Sequence, residues 1–233
     1  MIDDTVRKNQ ETWNCIAKSF DKTRTKPWKQ CIDFVKNLNI TETIVDMGCG
    51  NGRHLIICAE YSKHVIGLDL SKELLFIAKN KMEEKNIKNA IFLHSDVKFI
   101  PIKNETVDAI LYIASLHNIS GRHNRIQSLR ELKRILKKDG VALISVWSRW
   151  QDKYRKLFFK KWFRCTSKSD FGDIDIYWRQ HNLNIPRFYH LYSKKELIED
   201  LTKAGLKIKK IESVKLHSQK YPDNFFAIVI KNK

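Results

Sequence analysis

Residues 45–52 read Val45-Asp46-Met47-Gly48-Cys49-Gly50-Asn51-Gly52, an apolar strand end running into a turn with glycine at every second position. Glycine reaches left-handed backbone angles without steric cost and lets another group approach the main chain closely. The helix expected after such a turn offers unpaired N–H groups to an anionic ligand. A second acid, Asp69, closes the next apolar run, where a carboxylate at a strand tip suits a ribose diol.

Outward from this turn, apolar runs alternate with helical patterns across 43–147, the signature of a parallel sheet with crossover helices. Strands are predicted near 43–47, 64–69, 90–94, 107–112 and 140–147, with helices near 52–60, 71–85 and 122–137. Ser71 is the expected cap of the second of these helices, with Leu74, Leu75 and Ala78 as its buried stripe. Gly140, after Lys137 and Lys138, is the expected end of the third. Residues 5–20 and 27–38 read as two helices ahead of the sheet. Ser193 opens a helix to about 203, and 206–214 and 224–231 read as a closing pair of strands. The expectation is an α/β fold, a seven-stranded doubly wound, Rossmann-like sheet with N-terminal helices and an insertion before the last two strands. One domain, 1–233, would hold an N-terminal helical segment (1–40), a ligand-binding core (41–148), an insert (149–190) and a closing segment (191–233).

Two nucleoside ligands suit the glycine turn, a dinucleotide and S-adenosylmethionine. A dinucleotide fingerprint wants a small residue at position 53 for close helix–strand packing, and Arg53 stands there. The turn resembles the first motif of the class I S-adenosylmethionine-dependent methyltransferases, whose glycine loop holds the methionine end. That resemblance implies a cofactor site built from Asp46, Gly48, Gly50, Asn51, Gly52, Asp69 and Leu70, with Asp96 accepting the adenine amino group and Val97 packing near the ring. Ile113 ends the fourth strand, whose tip would face the reactive methyl.

The formal net charge is +18, from 44 basic and 26 acidic side chains, a balance that favours a polyanionic partner. Five cysteines form no C-x-x-C pair, so neither a zinc knuckle nor a disulfide framework is indicated, and no metal site is expected. No signal peptide and no membrane-length apolar run are visible; a cytoplasmic protein that does not enter a membrane is the expectation.

Methyl transfer from a sulfonium is an in-line displacement, so placing the nucleophile is the main demand. The (Asp/Asn)-Pro-Pro-(Tyr/Phe) run typical of amino-group methylation of bases is replaced here by Ile113-Ala114-Ser115-Leu116-His117-Asn118, and no Pro-Cys nucleophile for cytosine-C5 chemistry exists. His117 is left at the mouth of the site. A carboxylate acceptor fits so sparse a site, because it is ionised near neutral pH and needs no base. A dry pocket also favours a step in which both charges diminish. An arginine that orients such a carboxylate should hold the non-attacking oxygen.

Three further segments carry a narrower resemblance: Phe20-Asp21-Lys22-Thr23-Arg24-Thr25-Lys26-Pro27-Trp28, the run from Ile113 to Ser120 continuing through Arg130-Glu131-Leu132 to Trp147, and Arg187-Phe188-Tyr189-His190-Leu191-Tyr192 with Asp223-Asn224-Phe225-Phe226 near the end. Together they resemble the eukaryotic and archaeal tRNA wobble-uridine carboxymethyl methyltransferases, over most of the chain and least at 151–185. The resemblance implies esterification of 5-carboxymethyluridine in the tRNA anticodon loop, with Arg24 and His117 as catalytic residues and Lys26, Trp28, Arg187 and His190 toward the substrate. Arg24 has two open roles, in the acceptor pocket or on the methionine carboxylate. A small zinc-binding activator subunit is also implied, docked along the edge strand Ala90 to His94. Family members often carry His-His where this chain has His117-Asn118, and Trp near Phe225-Phe226, departures that bear on the acceptor.

Residues 149–168 form a basic insert carrying Arg149, Lys153, Lys156, Lys160 and Lys168 among others, with Trp150, Tyr154, Phe158 and Trp162 recurring every fourth residue. Helical geometry puts that stripe on one face. The charges suit RNA phosphates; the aromatics are open to two uses, stacking on unpaired bases or docking the helix on the domain. Two rival readings are a class I methyltransferase of small molecules and a non-catalytic RNA-binding protein on the same fold.

Overall fold

The computed structural model describes residues 4–38, 41–164 and 170–231. Two helices, α1 (Asp4–Thr23) and α2 (Lys29–Lys36), precede the alternation β1 (Thr41–Met47), α3 (Leu55–Glu60), β2 (Ser62–Asp69), α4 (Lys72–Glu84), β3 (Ala90–His94), β4 (Val107–Ile113), α5 (Arg122–Ile135) and β5 (Leu136–Trp147). An insert of α6 (Arg155–Arg164), β6 (Asp173–Trp178) and β7 (Ile185–His190) follows, and α7 (Lys194–Lys203), β8 (Leu206–Val214) and β9 (Asn224–Lys231) close the chain. The sheet order is β3-β2-β1-β4-β5-β9-β8, with β9 antiparallel to both neighbours. The expected seven-stranded doubly wound sheet is therefore present.

Alternation along the central strands builds two cores. Val45 and Ile110 face α5 and α7, where Leu129, Leu132, Leu197 and Leu201 are buried. Ile44 and Leu111 face the other side, against Phe34 of α2, Leu55 of α3 and Leu75 of α4. Each such fully buried side chain contributes roughly 1.5–3 kcal/mol. Ser71 caps α4 as expected, its Oγ accepting from Leu74 N–H at 3.1 Å. Strand order reverses between β1 and β4, and ligands in open α/β sheets bind beyond the strand ends at such a switch point.

Two expectations are corrected. Gly140 does not end a helix: α5 stops at Ile135, and Leu136 already has extended angles. Gly140 lies within β5, at a register irregularity where a Cβ would sit 2.9 Å from the Asp108 carbonyl. Lys137, expected to complement a helix end, donates to Asp108 at 2.6 Å. The insert also holds a shorter helix than its basic run suggested, and it adds the antiparallel hairpin β6–β7. The alternation of Ile174, Ile176 and Trp178 was the signal for β6. The stripe divides: Tyr154 and Phe158 pack under the hairpin with Trp150, whereas Trp162 is 66% exposed. Lys168 lies outside the described residues. Among the described residues, no helix is long and apolar enough to cross a membrane.

Candidate active site

The glycine turn follows β1 directly. Gly48, Gly50 and Gly52 all have positive φ, at 72°, 55° and 75°. A Cβ on Gly48 would lie 2.1 Å from Ser115 Oγ, and one on Gly52 would lie 2.9 Å from Ala78 Cβ of α4. Gly48 thus permits close approach at the site, while Gly52 permits helix–strand packing behind it. Asp69, at the tip of β2, accepts from Gly50 N–H and Ser71 N–H, both at 2.8 Å. These bonds stabilise a carboxylate whose pKa burial nonetheless raises. Asn51 donates to Asp21 Oδ1 at 2.7 Å and to the Arg24 carbonyl at 2.8 Å, tying the turn to the end of α1. Lys81 of α4 pairs with the same Asp21.

A cavity of about 370 Å³ opens over the turn at the switch point. One end is bounded by Asp69, Leu70, Asp96 and Val97, and α1 lines the cavity through Thr12 and Trp13. Asp96 accepts from Lys98 N–H at 2.9 Å. The other end is bounded by Arg24, Ile113, His117 and the hairpin residues Arg187 and Tyr189. Between them Ala114, just past β4, holds φ at 51°, a left-handed angle braced by bonds from its N–H to the Ser145 carbonyl and Oγ. Strain of this kind is concentrated at functional sites.

His117 is buried and stacks on Tyr189, with ring centroids 5.2 Å apart. Its Nδ1 accepts from Trp147 N–H at 3.1 Å, so in the neutral ring Nε2 carries the proton. Burial, with His190 and Arg187 nearby, pushes its pKa down to about 3. Arg187 donates to Tyr189 Oη at 2.6 Å and lies against Trp178, Tyr189 and Trp13, at 4.9, 5.0 and 5.6 Å. Arg24 lies against the same Trp178 ring at 5.6 Å.

The structure gathers twelve of the expected site residues at this cavity, namely Arg24, Trp28, Gly48, Gly50, Asn51, Asp69, Leu70, Asp96, Val97, Ile113, His117 and Arg187. Asp46 lies beneath the turn, outside the lining, with neither carboxylate oxygen hydrogen-bonded. Burial raises its pKa to about 7. Lys26 is exposed beyond the rim.

Two expectations need correction. His190 is fully buried behind the hairpin, held between Asp173 at 2.7 Å and Glu196 at 2.9 Å, and does not line the cavity. Arg149 is also buried, donating to the Leu191 carbonyl at 3.0 Å and pairing with Glu196, so it presents no charge to RNA. Lys153, Lys156 and Lys160 are exposed. Sequence reasoning missed Arg53, read only as an obstacle to a dinucleotide, and the rings of Trp13, Phe20 and Trp178. The seven-residue spacing of Trp13 and Phe20, two helical turns, was their available signal.

This donor set fits S-adenosylmethionine: two acids at one end, a cradle at Gly48 that admits no Cβ, and at the other the cations Arg24 and Arg187, neither ion-paired among the described residues. Comparison with known proteins agrees. A methyltransferase-domain family profile matches residues 45–144. The tRNA (carboxymethyluridine(34)-5-O)-methyltransferase of Schizosaccharomyces pombe is 30% identical over 95% of both chains. The mouse tRNA (carboxymethyluridine(34)-5-O)-methyltransferase ALKBH8 is 32% identical over 61% of this chain but only 20% of its own length. The chain thus spans about a fifth of the mammalian relatives it matches. A solved Haloferax volcanii methyltransferase, in complex with the Trm112 methyltransferase activator, has the same fold, with a TM-score of 0.68, 17% identity and 98% of each chain covered.

Proposed function

This chain belongs to the tRNA (carboxymethyluridine(34)-5-O)-methyltransferase family, and we propose that it esterifies the carboxylate of 5-carboxymethyluridine at the tRNA wobble position. The observation that carries this reading is one cavity with nucleoside-type acids, Asp69 and Asp96, at one end and the ring-packed cation Arg187 at the other. Bound there, S-adenosylmethionine supplies an electrophilic methyl group on a positively charged sulfur.

The chain's own residues position and desolvate the acceptor. Asp69 and Asp96 accept from ribose and adenine, and Gly48 leaves room for the methionine end. The acceptor carboxylate is ionised at neutral pH, so nothing must remove a proton from it. His117 suits that demand, because its Nδ1 is occupied and its Nε2–H is a donor toward the acceptor oxygen. Arg187 takes the non-attacking oxygen and leaves the attacking one its electron density. The rings of Trp13, Tyr189 and Trp178 keep water from the carboxylate while its charge is lost on methylation.

The tRNA anticodon arm docks on the outer face of α6. Lys156 and Lys160 there, with Lys153 just ahead of the helix, meet phosphates, and Trp162 is exposed for stacking on unpaired bases. A small zinc-binding activator pairs with β3, which is an edge strand whose Ile91 is 49% exposed and which lies near Phe99, 72% exposed. The activator in the Haloferax volcanii complex supports a partner of this kind.

The test is transfer of tritium from labelled S-adenosylmethionine to tRNA carrying 5-carboxymethyluridine, with and without the activator, followed by mild alkali. Label that enters the tRNA and is released as methanol is the expected result. Alkali-stable label would replace the ester with a base or ribose product. Bound cofactor without any tRNA labelling would favour a small-molecule acceptor.

A further inference from the structure

We propose that the cavity holds two separate carboxylate seats: Arg53 takes the amino-acid carboxylate of S-adenosylmethionine, Arg187 takes the carboxylate of the acceptor, and Arg24 bridges them. The inference rests on the cofactor reading above and decides how three cations in one cavity are divided.

Arg53 directly follows Gly52, lines the cavity and is only 9% exposed. Its guanidinium lies 5.0 Å from the Trp28 ring, and no ion pair to it is found among the described residues. Asp46 acts on it electrostatically, and the oxygens of Asp46 make no hydrogen bond among the described residues. Burial lowers the Arg53 pKa to about 10, which still leaves a cation at neutral pH. An unpaired buried charge is costly, and a ligand anion at the glycine turn would relieve it. Asp69, bonded to Gly50 N–H, and Asp96 claim the nucleoside, which leaves the Gly48 side of the turn, facing Ser115, for the methionine end.

Arg187 is likewise buried, 7% exposed, and its Nε has no partner. It sits on the hairpin beside His117, against Trp178 and Tyr189. Arg24 is felt electrostatically by Arg53, and it feels Arg187 in turn. Two cations without an ion pair among the described residues, each in electrostatic reach of Arg24, match two anions, one permanent on the cofactor and one that the reaction neutralises. The product ester has lost the charge that Arg187 holds, so this division also favours release of product while the cofactor's seat is unchanged.

The test compares two ligands on the full chain by calorimetry: S-adenosylhomocysteine, and 5′-methylthioadenosine, which keeps the nucleoside thioether and lacks the amino-acid carboxylate. Arg53→Gln is expected to weaken S-adenosylhomocysteine by about 10- to 100-fold and methylthioadenosine by less than twofold. Arg53→Lys should recover part of the loss. Arg187→Gln should leave both ligands bound as in wild type and erase the preference for anticodon-loop RNA bearing the acid over its amide. Equal losses of both ligands in Arg53→Gln, or none, would overturn the Arg53 seat. A retained acid preference in Arg187→Gln would overturn the other. A wild-type chain that bound neither nucleoside would remove the cofactor reading itself, and the two seats with it.

Discussion

The Trp147 backbone N–H donates to Nδ1 of His117 at 3.1 Å, while the His117 ring stacks on Tyr189 and lies tilted against Trp147. The bond selects the Nε2–H tautomer and blocks the other nitrogen from receiving a proton. With a pKa pushed down to about 3, the ring is a fixed neutral donor. It is not a base waiting to titrate near pH 6.5.

The rate of methyl transfer should therefore show no ionisation between pH 5.5 and 8 assignable to His117. Removing the donor with His117→Phe should slow single-turnover transfer about 10- to 100-fold, through lost orientation of the acceptor oxygen. His117→Gln, which restores an N–H, should recover part of that rate. A wild-type pH profile with a limb near 6.5 that vanishes in His117→Gln would return the ring to general-base duty.

Asp46 gives the fold a pH dependence of definite sign. Its folded pKa of about 7 lies above the ordinary value of 3.8, so the folded chain binds the extra proton. Stability from this group is fully present below about pH 4 and falls as pH rises toward 7. Without cofactor, Asp46→Asn should gain on wild type by about 2–3 kcal/mol between pH 5 and 8 in urea unfolding. A constant difference across that range would mean that Asp46 is ionised throughout.

Gly48→Ala should close the site. At φ 72° the new methyl is strained, and it meets Ser115 Oγ at 2.1 Å. Cofactor affinity is expected to fall more than tenfold, with a stability loss of about 1–3 kcal/mol. Calorimetry and thermal melting read the two separately, and unchanged affinity would place the ligand elsewhere.

The outer face of α6 and the buried Arg149 should respond differently to charge removal. Lys156→Glu with Lys160→Glu should weaken tRNA binding and lower the slope of log affinity against log salt by about two. Arg149→Gln should leave that slope unchanged and destabilise the fold by about 3 kcal/mol, by removing the buried cation that pairs with Glu196 and leaving that carboxylate to His190. An unaltered slope in the double variant would move the RNA face off α6.

At the sheet edge, Ile91→Lys should abolish co-purification of the activator while nucleoside binding persists, because Ile91 faces solvent on β3 and the cavity lies at the strand ends. Retained association would exclude the β3 edge as the docking site.

The glycine turn, the acids closing β2 and following β3, and the alternation of strands were legible because they are local: each is a spacing of residue types a few positions apart. Helix boundaries were less so. Lys137, Lys138 and Gly140 imitate a helix end, yet Leu136 pairs with Val107 and Lys137 reaches Asp108, long-range contacts that override the local signal. The insert read worst, because its basic residues look alike along the chain although Arg149 is buried against Glu196 and Lys156 meets water.

The sequence alone determined the sheet, the glycine turn beneath the cavity and the family to which the chain belongs, since regular spacing encodes which face of an element is buried and where the backbone turns. Only the tertiary structure decided that Arg53, Arg24 and Arg187 share one cavity, that His190 leaves it, and that His117 holds a single tautomer. Those outcomes depend on which segments distant in the chain meet, and on how burial sets the cost of each charge.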